Sequence, residues 1–166
     1  GLHQCAKSSW ALELFNRQVR SGEVIKEYLA LVEGCPDPPA GEICLPIRRS
    51  APYSMIREVH PAGRPARTSW RVLASGSGLS LVRLTLHTGR THQIRVHMSH
   101  LGHPLAGDPL YGGSGPDRTA LHAFRLSFTD PTENRAVVIR CQLPKDMLHF
   151  WQNHLSNGRP PVHPPY

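Results

Sequence analysis

The sequence lacks the features that mark secreted, membrane-spanning and zinc-binding proteins. Its four cysteines form no C-x-x-C pair, so their spacing predicts neither a zinc motif nor a redox motif. No apolar run approaches the length of a membrane span, and no apolar segment followed by a cleavage site opens the chain. Scattered thiols are compatible with a reducing compartment, and we therefore expect a cytoplasmic protein with no membrane partner.

Acidic residues are also scarce. The chain has 12 Asp and Glu against 19 Lys and Arg, which gives a formal net charge of +7 and a pI near 9.8. This balance indicates an anionic partner, most often a nucleic acid, although a merely basic soluble protein would share it. The 166 residues are enough for one domain with a hydrophobic core, and no internal repeat divides them.

The periodicity of the apolar residues predicts an α+β domain. Helical spacing occurs at 10–20, 91–101 and 146–155, and strand patterns occur at 24–32, 42–46, 70–74, 81–86, 121–128 and 136–143. Because hairpins and loops join most of these strands, we expect a mixed, mainly antiparallel sheet flanked by helices. The domain should span residues 1–155, opening with the tail of a strand at 1–7, and residues 156–166 should form a proline-rich tail.

The segment between Ile47 and Thr68 is polar and basic. We expect it to be a mobile loop, which either is simply solvated or contacts RNA, because phosphate contacts need only cations within reach. Its five arginines are Arg48, Arg49, Arg57, Arg64 and Arg67.

The stretch LTLHTGRTHQIRVHMSHLGHPLAGDPLYG, at 84–112, concentrates cationic and hydrogen-bonding side chains. We expect Gly89 to adopt a positive φ, Thr91 to cap a short helix, and Gly102 to end it. The helix should bury an apolar stripe formed by Ile94, Met98 and Leu101.

The opposite face of that helix carries His92, Arg95 and Ser99 at i, i+3 and i+7. Arg90 and Arg95 both lie near the helix N-terminus, where free N–H groups favour a phosphate or a carboxylate. The alternative is that Arg95 only bridges to a structural carboxylate.

Five histidines in the same stretch raise the question of a metal site. His92 and His97 are five residues apart, whereas ligands on one helix face should be three or four apart. We therefore expect no metal, and a metal-binding or hydrolytic protein is kept only as a third hypothesis. The histidines concerned are His87, His92, His97, His100 and His103.

The 84–112 stretch closely resembles the TGRTHQIRVH–GHPLLGDPLYG signature of the RluA-type RNA pseudouridine synthases. Three further blocks, beginning GLHQCAKSS, RTSWRVL and LHAFRLSF, are similar to other blocks of that family, so the resemblance covers nearly the whole chain. It implies a cofactor-free isomerase of ribosomal or transfer RNA. Such an enzyme detaches the uracil of a chosen uridine, turns it and rejoins it through carbon 5, after the base has been flipped into a pocket.

The resemblance also implies roles for single residues. Tyr28 would stack on the flipped uracil and assist proton removal at carbon 5, and Arg95 would pair with the nucleophilic aspartate of the family. The remaining positions would hold the RNA backbone and form the pocket wall, with Ile94 closing the pocket from its apolar side. These substrate-binding positions are Lys26, Arg90, Thr91, His92, Gln93 and Ile94. A monomer without cofactor or metal is expected.

One family motif is absent from these 166 residues. The nucleophilic aspartate belongs to an HRLD motif, which the sequence does not contain. Asp108 could be considered as a substitute, but it matches a structural turn position of the signature. The chain is therefore expected either to be an inactive portion of a synthase or to be a non-catalytic RNA-binding module, and Arg95 should be an unpaired cation.

Overall fold

The computed structural model describes residues 9–154, in which an α+β architecture is present as predicted. The expected strand tail at 1–7 and the tail at 156–166 lie outside these residues. Within 9–154, no helix is both long and apolar enough to cross a membrane. The helices are α1 (Ser9–Ser21), α2 (Gln93–His100) and α3 (Lys145–His154). The strands are β1 (Ile25–Glu33), β2 (Ala40–Ile43), β3 (Ile47–Arg49), β4 (Arg57–Val59), β5 (Thr68–Gly76), β6 (Leu79–Leu86), β7 (Leu121–Thr129) and β8 (Ala136–Arg140).

Six strands form one sheet in the order β2-β5-β6-β1-β7-β8. Every pairing within it is antiparallel, so the mainly antiparallel prediction is confirmed, while the described strands include no parallel pair. Strands β5 and β6 form a hairpin, closed by a turn at 77–78. Strand β1 is one of the four interior strands and pairs with β6 on one edge and β7 on the other.

The two faces of the sheet bury separate cores. On one face, Leu29 and Leu31 of β1 pack with Phe124 and with Met147 of α3. On the other face, Ala30 and Val32 pack beneath Ile94 and Met98 of α2. The alternation of β1 therefore places its even-numbered side chains on the side of α2.

The basic segment between Ile47 and Thr68 contains a hairpin, so the prediction that it is a loop is wrong. Strands β3 and β4 pair with each other, and Ile47 exchanges two backbone hydrogen bonds with Arg64. Ile47 is buried against Ala66 and Val96, which fastens the hairpin to α2. Each strand has only three residues, too few for a periodic pattern to be recognised.

Helix α2 begins at Gln93, two residues later than the sequence predicted. Thr91 is not its cap, and Gly89 is not in the left-handed region; instead His92 is the N-cap residue, with a φ of 56° and no side-chain capping bond. The predicted helix end is confirmed, because Gly102 has a φ of 88° and donates its N–H to the carbonyl of Ser99.

Candidate active site

Tyr28 lies in the middle of β1, on the face covered by α2. Its Cα partners are Leu84 of β6 and Ala123 of β7, and a bulge between Glu27 and Tyr28 shifts the register on the β7 side. The ring packs against the cluster that contains Ile94. A tyrosine hydroxyl is ordinarily neutral at physiological pH, and burial raises the pKa of the Tyr28 hydroxyl further, away from ionisation. A neutral, half-buried ring is suited to stacking on a base.

Gln93 is buried, and its amide fixes the turn that precedes α2. Its oxygen accepts hydrogen bonds from the backbone N–H of Arg90 at 2.9 Å and the hydroxyl of Thr88 at 2.8 Å. Its nitrogen donates to the carbonyl of Arg67 and to the hydroxyl of Thr68, both at 2.9 Å. All four hydrogen-bonding positions of the amide are filled by protein atoms, so Gln93 joins the Thr88–Arg90 turn to the start of β5.

Arg95 forms a bidentate ion pair with Asp108, so the prediction of an unpaired cation is wrong. Nε donates to Oδ2 at 2.9 Å, and Nη2 donates to Oδ1 at 2.8 Å. The Asp108 side chain is fully buried, whereas that of Arg95 is 17% exposed. The sequence could not locate this partner, because the two residues are 13 positions apart and on different elements.

The environment of Asp108 keeps it ionised. Burial alone would raise the pKa of this carboxyl, but hydrogen bonds from Arg95 and from the amides of Leu110 and Tyr111 hold the pKa below its ordinary value. Oδ1 accepts from the N–H of Leu110 at 3.0 Å, and the Asp108 carbonyl accepts from the N–H of Gly113. Asp108 therefore caps the turn, as its position in the signature predicted.

Tyr111 connects the whole polar face of α2, and sequence reasoning missed it. Its hydroxyl lies 2.8 Å from Nδ1 of His92 and accepts the backbone N–H of Arg57 at 3.0 Å. Its ring lies beneath Arg95, with 5.1 Å between the guanidinium carbon and the ring centroid. Its carbonyl accepts the hydroxyl of Ser99 at 2.9 Å. The predicted His92–Arg95–Ser99 face is thus real, and Tyr111 is the common partner that its spacing could not reveal.

A cation-lined groove runs past the turn at Gly89 and Arg90. One cavity of about 550 Å³ lies between the end of α1 and the end of β6, and Lys26 is among its lining residues. A second cavity of about 330 Å³ adjoins the β3–β4 hairpin and includes Thr91. The two cavities share Arg64, Gly89 and Arg90. Arg90 is held by a hydrogen bond from Nε to the carbonyl of Pro65 at 2.7 Å.

Four of the five histidines of this stretch have hydrogen-bond partners in the described residues, and His100 is exposed. His97 is fully buried between Thr68 and the carbonyl of Leu45, and His103 contacts the carbonyl of Glu33. Among the described residues, no three His, Cys, Asp or Glu side chains lie close enough to hold a metal ion.

Comparison with known proteins assigns the fold to a family. A sequence profile described as RNA pseudouridylate synthase matches residues 1–100. The uncharacterized RNA pseudouridine synthase YhcT of Bacillus subtilis is 39% identical over 91% of this chain, and ribosomal large subunit pseudouridine synthase D of Nitrosomonas europaea is 39% identical over 96% of it. In each case the match covers 51% of the relative, so the chain spans about half the length of these proteins.

Solved structures agree with the sequence comparison. Human RNA pseudouridylate synthase domain containing 1 superposes with a TM-score of 0.71 and 27% identity, covering 95% of this chain and 80% of that one. Human RNA pseudouridylate synthase domain containing 4 has the same fold, with a TM-score of 0.74. The profile match and the sequence identity of the relatives together show that this chain belongs to the RNA pseudouridylate synthase family.

Proposed function

We propose that the chain provides the base-binding part of an RNA pseudouridine synthase site and isomerises uridine when a nucleophilic aspartate is supplied. The observation that carries this proposal is that Tyr28 packs in the same cluster as Ile94, whose neighbour on α2 is Arg95. A ring able to stack on a base and a cation able to hold a carboxylate are thereby placed on one side of the sheet. The cationic groove adjoins the same helix.

The chemistry of the isomerisation explains why no cofactor is required. The bond between N1 of uracil and C1′ of ribose breaks, a bond between C5 and C1′ forms, C5 loses a proton and N1 gains one. No net oxidation or reduction takes place. Tyr28, whose phenol burial keeps protonated by raising its pKa further, would stack on the flipped base, and proton removal at C5 would require a hydrogen-bonded acceptor for the phenol proton.

The remaining predicted site residues fall into two groups. Lys26, Arg90 and Thr91 line the groove and would contact phosphates of the RNA backbone. His92 and Gln93 would act indirectly, because His92 is engaged by Tyr111 and the amide of Gln93 is fully occupied. Their role would be to fix the turn that presents Arg90.

A test follows from the missing HRLD motif. Residues 1–166 alone should release no tritium from RNA labelled at C5 of uridine. The same residues, fused at the N-terminus to the part of the Bacillus subtilis relative that carries the family's HRLD motif, should release it; this fusion is the extended chain. Large-subunit ribosomal RNA is the first substrate to try, since one relative is named for it. Turnover by 1–166 alone would contradict the proposal.

The second candidate function is a non-catalytic RNA-binding module. The shared groove, with Arg64 and Arg90 at its centre, favours it because phosphate binding needs no nucleophile. RNA binding by the extended chain without any tritium release would favour this module over the synthase.

A further inference from the structure

The guanidinium of Arg95 has two edges that can each hold a carboxylate, and the structure fills only one. Nε–H and one Nη2–H form the first edge, whereas Nη1 and the other Nη2–H form the second. Asp108 occupies the first edge. Among residues 9–154, no hydrogen bond is made by Nη1 of Arg95.

The orientation of the guanidinium is fixed from two directions. Asp108 is buried in a turn that it caps itself, so the filled edge cannot swing without breaking that turn. The ring of Tyr111 covers one face of Arg95, and the Tyr111 hydroxyl is in turn held by His92 and by the backbone of Arg57. The second edge therefore has a defined direction.

We propose that Asp108 and Tyr111 are positioning residues, which hold Arg95 so that its Nη1–Nη2 edge receives a second carboxylate, that of the nucleophilic aspartate. This inference rests on the proposed function. It assigns Asp108 a part in the reaction without making it the nucleophile, because both of its oxygens are already engaged by Arg95.

Electrostatics favour a carboxylate fixed by the fold over a phosphate of the RNA. Asp108 already neutralises Arg95, so a freely diffusing anion gains little net attraction at the second edge. A carboxylate placed there by the polypeptide is held by the geometry of its own segment. Phosphates have better sites in the groove, where Arg64 and Arg90 line both cavities.

The first test uses the extended chain and separates the chemical step from binding. Asp108→Asn keeps the oxygen that accepts from Leu110 but loses the carboxylate, so the single-turnover rate should fall about 100-fold while the dissociation constant for RNA changes less than about threefold. The matched control is Asp146→Asn, because Arg118 and Asp146 form the same bidentate pair at an exposed place outside the site. The control should alter neither quantity.

Two results would overturn the proposal. If Asp108→Asn keeps its rate but loses affinity, Arg95 is a phosphate clamp; if it keeps both, Asp108 has no positioning role. Should Asp108→Asn not fold, Tyr111→Phe decides the matter. That variant retains the ring over Arg95 and loses only the hydroxyl contacts, so its rate should fall about tenfold at unchanged affinity; an unchanged rate contradicts the proposal.

The second test needs no turnover and uses nitrogen-15 NMR of the Arg95 side chain. Extending the chain should slow the rotation of the Nη1 group and leave the Nε–H signal unchanged, since the new carboxylate takes the free edge. An extension in which the HRLD aspartate is asparagine should have no such effect. A shifted Nε–H signal would mean that the new carboxylate displaces Asp108, and an unaffected Nη1 group would mean that it does not bind; either result overturns the inference. Slowed rotation without tritium release would leave the positioning intact and refute the synthase function instead.

Discussion

Thr68 and His97 share a hydrogen bond of 2.8 Å in the core, where both side chains are fully buried. Nε2 of His97 must donate to the carbonyl of Leu45, because a carbonyl can only accept. Burial lowers the pKa of the imidazole, and in the neutral ring Nδ1 accepts from the Thr68 hydroxyl. The same hydroxyl accepts from Gln93. With His97 neutral, this chain of bonds links the core to the turn in front of α2.

Acid should weaken the fold through His97. Burial lowers the pKa of its imidazole, although the hydrogen bond to Leu45 opposes the shift. The unfolded chain takes up this proton near pH 6.5 and the folded chain resists it, so the free energy of unfolding should fall as the pH drops below that value. Urea unfolding followed by tryptophan fluorescence, at about pH 7.5 and about pH 5.5, measures the loss.

The contribution of His97 is isolated by comparison of variants. Burial also lowers the pKa of His87, His92 and His122, so the wild-type slope combines several groups. His97→Gln should reduce the pH dependence, whereas His100→Gln, at an exposed position, should retain most of it. Equal slopes for wild type and His97→Gln would exclude His97 as a source.

Removal of Arg95 should destabilise residues 1–166 strongly. Arg95→Met leaves the Asp108 carboxylate buried without its cation, which costs about 3–5 kcal/mol in comparable buried pairs. Arg118→Met is the matched control, and loss of its exposed pair with Asp146 should cost no more than about 1 kcal/mol. Adding Asp108→Asn to Arg95→Met should recover part of the loss. If the loss of unfolding free energy in the double variant, measured with urea, equals the sum of the losses in the two single variants, Arg95 and Asp108 are not coupled.

RNA binding should depend steeply on salt. Arg64 lines both cavities of the groove, so Arg64→Ala should weaken binding to all sequences and reduce the slope of log affinity against log salt by about one. Arg135→Ala changes an exposed arginine that pairs with Glu133 on the β7–β8 turn, and it should leave the slope unchanged. Filter binding over a series of salt concentrations tests both predictions. An affinity that does not depend on salt would refute RNA binding by the cation-lined groove.

Substitution by alanine should destabilise the fold strongly at one glycine of this region and hardly at all at another. A Cβ on Gly113 would collide with the carbonyl of Leu105 and the amide of Asp108, so Gly113→Ala should cost on the order of 3 kcal/mol and disturb the Asp108 turn. A Cβ on Gly89 would meet only the amine of Lys26, at 3.9 Å, and Gly89→Ala should change stability by less than about 0.5 kcal/mol. Thermal unfolding of both variants measures these changes in stability. A large loss of stability in Gly89→Ala would indicate that Gly89 has the positive φ expected from the sequence.

Long periodic elements were predictable from the sequence, and short or tertiary features were not. Helix α1 and strand β1 lie within one residue of their predicted bounds, because apolar periodicity repeats over many residues in each. Strands β3 and β4 were missed because three residues cannot establish a period. The roles of Tyr28 and Arg95 came from the family resemblance and stay predictions, whereas the partner of Arg95 required a tertiary contact that no local pattern contains.

The position of Tyr28 is secured from the opposite face of the sheet. Glu27, the preceding residue, pairs with Arg83 of β6 and with Arg125 of β7, so one carboxylate ties three adjacent strands together. Sliding β1 by a single residue would drag this carboxylate beneath α2 and turn the phenol away from it. The three charges thus fix the register of β1, and the face on which the Tyr28 ring lies is set by residues on the opposite face of the sheet.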